Sequence, residues 1–261
     1  MTSSVLGLLR ATHFLPTVTV TTLTFLLAWR TSDLQTANGI AATVLTGQLI
    51  VGWSNDLVDY SDDLLHERQN KPLVSGSISL SSLKWSCALA GVALLTLTIV
   101  GPLTGRFGLA HLLAVVSAIA YNFKLKATPF SFLPYAFSFG LLPVIILGAT
   151  AQPSKLWMVV VGATFGIGVH LANVFKDLEN DRSSGIYGLP QILGVEKSRI
   201  GCTISFGSGG LVMALNTGEK SAWLIVVAAI LFLLPLPSKF IFPFAMLLGL
   251  AVMGVFILAI S

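Results

Sequence analysis

Charge is what this chain has least of. Only 10% of its 261 residues are Asp, Glu, Lys or Arg, against 54% hydrophobic, and no water-soluble domain of this length hides so much apolar surface. The solvent is therefore lipid, and no nucleic-acid partner is expected. Cysteine is almost absent too: Cys87 and Cys202 both sit inside apolar runs, which excludes a disulfide framework and makes each a small buried hydrophobe. The opening residues MTSSVLGLLR lack a basic start, and no small-residue cleavage site comes after the next apolar run. No cleaved signal peptide is expected, and the first span stays in place.

What the chain has instead is apolar runs of bilayer-crossing length, about 17–25 residues each. They fall near 12–30, 36–54, 80–101, 104–121, 131–150, 154–173, 198–215, 220–235 and 238–260. The last two also read as one segment broken around Pro235 and Pro237. The expectation is an all-α integral membrane protein, a single domain over 1–261, with about nine transmembrane helices. Trp29 and Trp53 near span ends fit an interfacial aromatic belt.

Lys and Arg mark the cytoplasmic side of such a protein. Assigning the basic residues to alternate sides puts Arg10, Arg68, Lys71, Lys84, Lys124, Lys126, Lys176, Arg182, Lys197, Arg199 and Lys239 together, with Arg30, Arg106, Lys155 and Lys220 opposite. This asymmetry predicts a cytoplasmic N-terminus and an external C-terminus.

Nine of the eleven acidic residues fall in or near two short stretches: Asp56, Asp59, Asp62, Asp63 and Glu67, then Asp177, Glu179, Asp181 and Glu196. Both stretches lie at inner ends of spans, the second and the sixth, so they can face one another. On a helix, Asn55, Asp56, Asp59 and Asp63 occupy an arc of about 100°, with Asp62 at its rim. His170, Asn173, Asp177 and Asp181 occupy about 80° if their helix continues, with Glu179 pointing away. Carboxylates sharing a face at a membrane boundary repel each other and lose hydration, so a cation is expected to compensate them. Oxygen-only donors with Asn among them favour Mg²⁺ or Mn²⁺ over zinc, and Mg²⁺ is commonly shared with substrate phosphate oxygens. The implied substrate is phosphorylated.

Basic and polar partners stand close by in the sequence. In HERQNKPLVSG, Pro72 and Gly76 mark a loop that returns Arg68 and Lys71 toward the carboxylates, and Arg suits bidentate phosphate binding. The inner end of the fourth span, AYNFKLK, places Tyr121, Lys124 and Lys126 on the same side. There a leaving diphosphate needs positive charge and a proton donor, although basic residues at span ends also serve as plain membrane anchors. Lys176 and Arg182 project elsewhere on a continuous helix and read as ion-pair partners or anchors. His170 reads first as a hydrogen-bonding residue within the bundle.

These residues resemble the UbiA superfamily of intramembrane prenyltransferases. Asn55, Asp56, Asp59 and Asp63 fit its NDxxDxxxD pattern, and Asp177 with Asp181 fits its DxxxD pattern. RQNKPLVSGSIS is similar to its Arg- and Pro-containing loop, and KDLENDRSSGIYGLPQILG to its second motif with trailing Gly, Leu-Pro and Leu-Gly. Lys124 and Lys126 straddle the lysine position usual in part of the family, leaving open which one meets the diphosphate. The resemblance implies a horseshoe of nine helices around a central cavity with a lateral opening to lipid, built as two similar four-helix halves plus one. It also implies Mg²⁺ held by Asn55, Asp56, Asp59, Asp63, Asp177 and Asp181, and an isoprenyl diphosphate donor bound by Arg68, Lys71 and Asn173. Tyr121 and one of the two lysines assist departure of the diphosphate, and a lipophilic acceptor, taken to be a hydroxylated aromatic ring from the family's commonest usage, captures the prenyl group. A terpene cyclase acting on the donor alone and an ion-coupled transporter are the competing readings; acids at span ends rather than at the bilayer midplane disfavour the transporter.

Overall fold

The computed structural model describes residues 2–175, 177–183 and 185–259. Among them there is helix and no strand. In chain order the helices are α1 (Thr2–Ala11), α2 (Phe14–Thr31), α3 (Leu34–Leu65), α4 (Leu80–Val100), α5 (Gly105–Phe123), α6 (Leu133–Ala149), α7 (Leu156–Val174), α8 (Leu178–Ser183), α9 (Leu189–Thr217), α10 (Ala222–Ala229) and α11 (Ser238–Ala259). Short 3₁₀ turns come after α5 at Leu125–Ala127 and after α10 at Ile230–Leu233.

Local chemistry sets several of these boundaries. Asp33 accepts a hydrogen bond from the Thr36 N–H at the start of α3, and Ser79 does the same for Ser82 at the start of α4, each satisfying an otherwise orphaned donor. Pro134 and Pro190 occupy the first turns of α6 and α9, where a missing N–H costs nothing.

Five helices, α4, α5, α7, α9 and α11, are long and apolar enough to cross a membrane, and six if α1 and α2, bent by 69° at their junction, count as one span. The nine apolar runs each coincide with a helix, but not all nine qualify by length and composition. α6 and the α10 region are apolar and shorter, α2 is rich in threonine, and α3 carries four aspartates in its inner half. Two helices outrun their apolar segments: α3 continues to Leu65 and α9 begins at Leu189. In both, the polar motif stays helical beyond the hydrophobic run.

The helices succeed one another around the bundle: α2 beside α3, α3 beside α4 and α5, then α5, α6, α7, α9 and α10 in succession, with α11 against both α2 and α7. Inside lie two large apolar clusters, one joining α2, α6, α7, α9 and α11 around Leu27, Ile146 and Met213, the other built on Phe165, Phe206 and Phe232. Outward side chains such as Trp85, Ile99, Val100 and Leu215 are exposed, as expected where lipid covers them. A wholly apolar cavity of about 50 Å³ sits between α2, α6, α7 and α11, lined by Leu27, Phe139, Pro143, Phe165 and Met253 among others.

Two glycines shape the backbone near the polar end of the bundle. On α7, Gly166 lets α6 approach so closely that an added Cβ would collide with the Tyr135 carbonyl oxygen, the small-residue packing by which membrane helices bring backbones together. On α9, Gly194 adopts φ 75°, ψ 177° and breaks the helix into a short inner limb and a long outer one, a backbone state almost confined to glycine.

Candidate active site

The first aspartate stretch rides on the unbroken inner half of α3. Asp56 and Asp63 are buried, at 3% and 1% exposure, and each meets a basic residue from the loop after α3. Lys71 Nζ donates to Asp56 Oδ1 at 2.7 Å and lies 3.7 Å from Asp63 Oδ2. Arg68 Nη1 donates to Asp63 Oδ1 at 2.8 Å, and its Nη2 lies 3.4 Å from Asp62 Oδ2. The loop folds back because Lys71 N–H bonds to the Arg68 carbonyl and Ser75 N–H to that of Lys71, before Gly76 turns the chain at φ 70°. Burial works against the charge on Lys71, but Asp56 and Asp63 outweigh it and lift the ammonium above its ordinary pKa.

Asp59 pairs with Lys126 from the turn after α5. Of the two lysines, Lys126 reaches the carboxylates, and Lys124 is exposed at the end of α5. Asn55 turns to α5 instead, donating to Asn122 Oδ1 at 3.4 Å.

The second stretch is less regular than a continuous helix. α7 ends at Val174, a tight bond joins Asp177 N–H to the Val174 carbonyl, and α8 starts only at Leu178. Asp181 N–H then bonds to the Asp177 carbonyl at 2.8 Å. Lys176 and the side chain of Glu179 lie outside the described residues. The break separates the four residues expected on one arc. His170 is buried at 1% exposure and pairs through Nε2 with Ser131 Oγ at 2.9 Å. Asn173 is in hydrogen-bonding reach of the Tyr135 hydroxyl. Asp177 and Asp181 stay together, and burial together with the charge of Asp177 pushes Asp181 up to about 6, against the opposing pull of Gln191, Arg68 and Lys126.

The two stretches lie within electrostatic reach of one another. Arg68 and Lys126, bound to the first cluster, also act electrostatically on Asp181. Tyr121 lies within range of both Asp59 and Asp181, its ring edge-on to Tyr135 at 5.2 Å and to His170 at 5.7 Å. From Tyr135 a line of rings, Phe139 at 6.4 Å and then Phe165 at 5.8 Å, leads inward to the apolar cavity. Arg182 anchors the backbone, its Nε donating to the Gln191 carbonyl at 3.0 Å.

Four participants were not foreseeable from local sequence patterns. His13, between α1 and α2, places Nε2 3.5 Å from Asp56 Oδ1; the two are distant in the chain and no spacing rule links them. Asn122 donates to the Val51 carbonyl and to Ser54 Oγ, and an amide inside an apolar span was the available signal. Ser131 and Gln191 are buried beside the second motif, and only the Gln in GLPQILG stood out as polar.

The carboxylates offer oxygen donors alone, which suits a hard divalent cation in chemistry. Among the described residues no three His, Cys, Asp or Glu side chains group closely enough to hold one by themselves, which matches a Mg²⁺ that takes one or two carboxylates and shares phosphate oxygens; Lys71, Arg68 and Lys126 neutralise the first cluster. Arg68 Nη2 is buried and makes no hydrogen bond, facing the Asp62 carboxylate only at ion-pair distance, 3.4 Å, so it keeps a donor that a bound anion could take up.

Fold and site together define an all-helical membrane protein with two opposed aspartate motifs at one end of its bundle. The chain belongs to the UbiA prenyltransferase family, whose sequence pattern it matches over residues 14–260. It is 30% identical over 198 residues to the bacteriochlorophyll synthase 33 kDa chain of Rhodobacter capsulatus, a match spanning 67% of this chain and 61% of that one. Similar folds include a UbiA homologue from Aeropyrum pernix K1, with TM-score 0.74 and 18% identity over 94% of this chain and 98% of that one. A UbiA homologue from Archaeoglobus fulgidus bound to GPP and Mg²⁺ gives TM-score 0.73 and 18% identity over 95% and 99%.

Proposed function

We propose that the protein is a Mg²⁺-dependent intramembrane prenyltransferase that ionises an isoprenyl diphosphate and passes the prenyl group to a lipophilic acceptor, a hydroxylated aromatic ring. One observation carries the reading: Lys126, Lys71 and Arg68 pair with Asp59, Asp56 and Asp63 of one helix face, so cations suited to a diphosphate stand beside carboxylates suited to a metal. The bound donor and metal of the Archaeoglobus fulgidus homologue support it. The reading includes nine membrane crossings, made by α2–α7, α9, the α10 region and α11, with the N-terminus and both aspartate motifs cytoplasmic.

Asn55, Asp56, Asp59, Asp63, Asp177 and Asp181 would hold Mg²⁺, which when bound offsets diphosphate charge and improves the leaving group. Arg68, Lys71 and Lys126 would exchange carboxylate for diphosphate oxygens of the donor, and Asn173 would add an amide donor. The allylic C–O bond breaks and its electron pair leaves with the diphosphate, next to the Tyr121 hydroxyl. Tyr135, Phe139 and Phe165 wall the path, excluding water and presenting ring faces to the allylic cation. An acceptor carbon or oxygen then forms the new bond and loses its proton.

Purified protein incubated with radiolabelled geranyl, farnesyl and geranylgeranyl diphosphates, with Mg²⁺ or chelator, tests this beside Asp56→Ala and Asp181→Ala. Mg²⁺-dependent diphosphate release or donor binding, lost in both variants, is expected. Absence of both for every donor overturns the reading. Product analysis with donor alone separates transferase from cyclase, and the acceptor panel includes tetrapyrroles because one relative is a bacteriochlorophyll synthase chain.

A further inference from the structure

Gln191 sits at the third position of α9 with 3% exposure. Its Nε2 donates to Asp181 Oδ2 at 2.8 Å, while its Oε1 is buried with no donor. A buried amide that merely filled space would be expected to satisfy its acceptor too. Here the donor is committed to the carboxylate and the acceptor goes without.

The surroundings fix that choice. Ser131, fully buried, accepts from the Leu189 N–H at 2.9 Å, capping α9 from a residue outside the helix, where an orphaned donor needs a partner. Ser131 is itself held by His170 on α7 at 2.9 Å. Arg182 of α8 grips the Gln191 carbonyl. Gly188 makes the room: a Cβ there would lie 2.8 Å from Gln191 Oε1 and 3.1 Å from Ser131 Oγ. Two separate elements therefore hold the backbone carrying this side chain, and α7 braces one of them through His170.

We infer that Gln191 is the positioning residue of the second aspartate motif, an amide clamped through Ser131, His170 and Arg182 that holds Asp181 in the orientation a divalent cation needs. The inference rests on the proposed function, since it presumes that Asp181 is a metal ligand. Hydrogen bonds from outer residues orient metal-binding carboxylates, and their removal typically weakens metal affinity about 10–100-fold.

The test compares wild type, Gln191→Met, which keeps length and packing but has no donor, and Gln191→Asn, which keeps the amide one methylene short. Each is titrated in detergent with Mn²⁺, alone and with geranyl thiolodiphosphate, and free Mn²⁺ is read by electron paramagnetic resonance. Mn²⁺ affinity is expected to fall about 10–100-fold in Gln191→Met and in the same direction in Gln191→Asn, with metal-free elution and circular dichroism unchanged. A folded Gln191→Met within about twofold of wild type, too small for a ligand-orienting partner, overturns the inference; should that variant misfold, Gln191→Asn decides by the same criterion. If both lose the wild-type elution profile, Gln191 is a folding residue and the inference also falls. Wild type that binds no Mn²⁺ in either condition instead removes the proposed function, so the two failures are told apart.

Discussion

The ammonium of Lys71 lies 2.7 Å from Oδ1 of Asp56, fifteen residues earlier in the chain. Asp56 is almost wholly buried and Lys71 largely so. Removing one partner of such a pair strands the other's charge, at a cost of about 3–5 kcal/mol. Lys71→Met is expected to lower the thermal unfolding midpoint in detergent, and Lys71→Met/Asp56→Asn to recover part of the loss. Added Mg²⁺ should raise the midpoint of the single variant more than that of the double one, because only the single variant keeps the unpaired carboxylate.

The two lysines after α5 are expected to behave differently although both are basic residues at the same span end. Lys126→Ala should lower kcat about 10²–10³-fold, the range for losing a group that stabilises developing charge. Lys124→Ala, at an exposed position, should leave kcat and KM near wild type. Steady-state kinetics with one donor and acceptor pair checks both, and equal losses would return both residues to an anchoring role.

Gly166 and Gly254 make a contrasting pair. A methyl at Gly166 meets the Tyr135 carbonyl, while nothing lies within 4 Å of one at Gly254. Gly166→Ala should destabilise by about 1–3 kcal/mol through overpacking and displace Tyr135 from Asn173, lowering kcat as well. Gly254→Ala should be neutral or stabilise by up to about 1 kcal/mol, as alanine in a helix does. Paired thermal melts and turnover measurements separate the two signs.

Arg199 is buried on α9 and donates to the carbonyls of Phe232, Leu234 and Leu236 across the break between α10 and α11, its guanidinium 5.5 Å from the centre of the Phe175 ring. Arg199→Met takes the donor from the buried Phe232 carbonyl, while the Leu234 carbonyl keeps the Leu236 N–H, at about 1–3 kcal/mol for a buried unsatisfied group, and should lower the melting midpoint; Arg199→Lys should recover only part, lacking the fork. Donor affinity measured below the melting transition should change less than stability does, because the hydrogen bonds of Arg199 go to the α10–α11 joint.

How far the molecule could be read from its sequence depended on distance along the chain. The NDLVDYSDD helix face and the returning Arg68 and Lys71 were legible because one helical turn or one short loop relates them. The continuous arc through Asp181 was not, since the chain leaves α7 at Val174 and rebuilds a turn around Asp177, and the periodicity of the residues carries no mark of the break. The Asn55 amide, grouped with the aspartates by periodicity, is drawn away by Asn122, 67 residues later. Hydropathy located the helices, of which five or six are long and apolar enough to cross a membrane, but could not mark where α3 and α9 outrun their apolar segments, because their extensions are polar. The Ser131 to Leu189 contact closes 58 residues of chain, a relationship no spacing rule reaches.

The corner at Gly194 divides α9 between two masters. The five residues ahead of it, Gln191 included, are tied to α8 and to the turn before α6, while the limb beyond it faces the bilayer. Beyond the corner the long limb takes its direction from α7 and α10, against which it packs. The lie of the long limb and the place of Gln191 beside Asp181 are thus set by different contacts, on either side of one glycine.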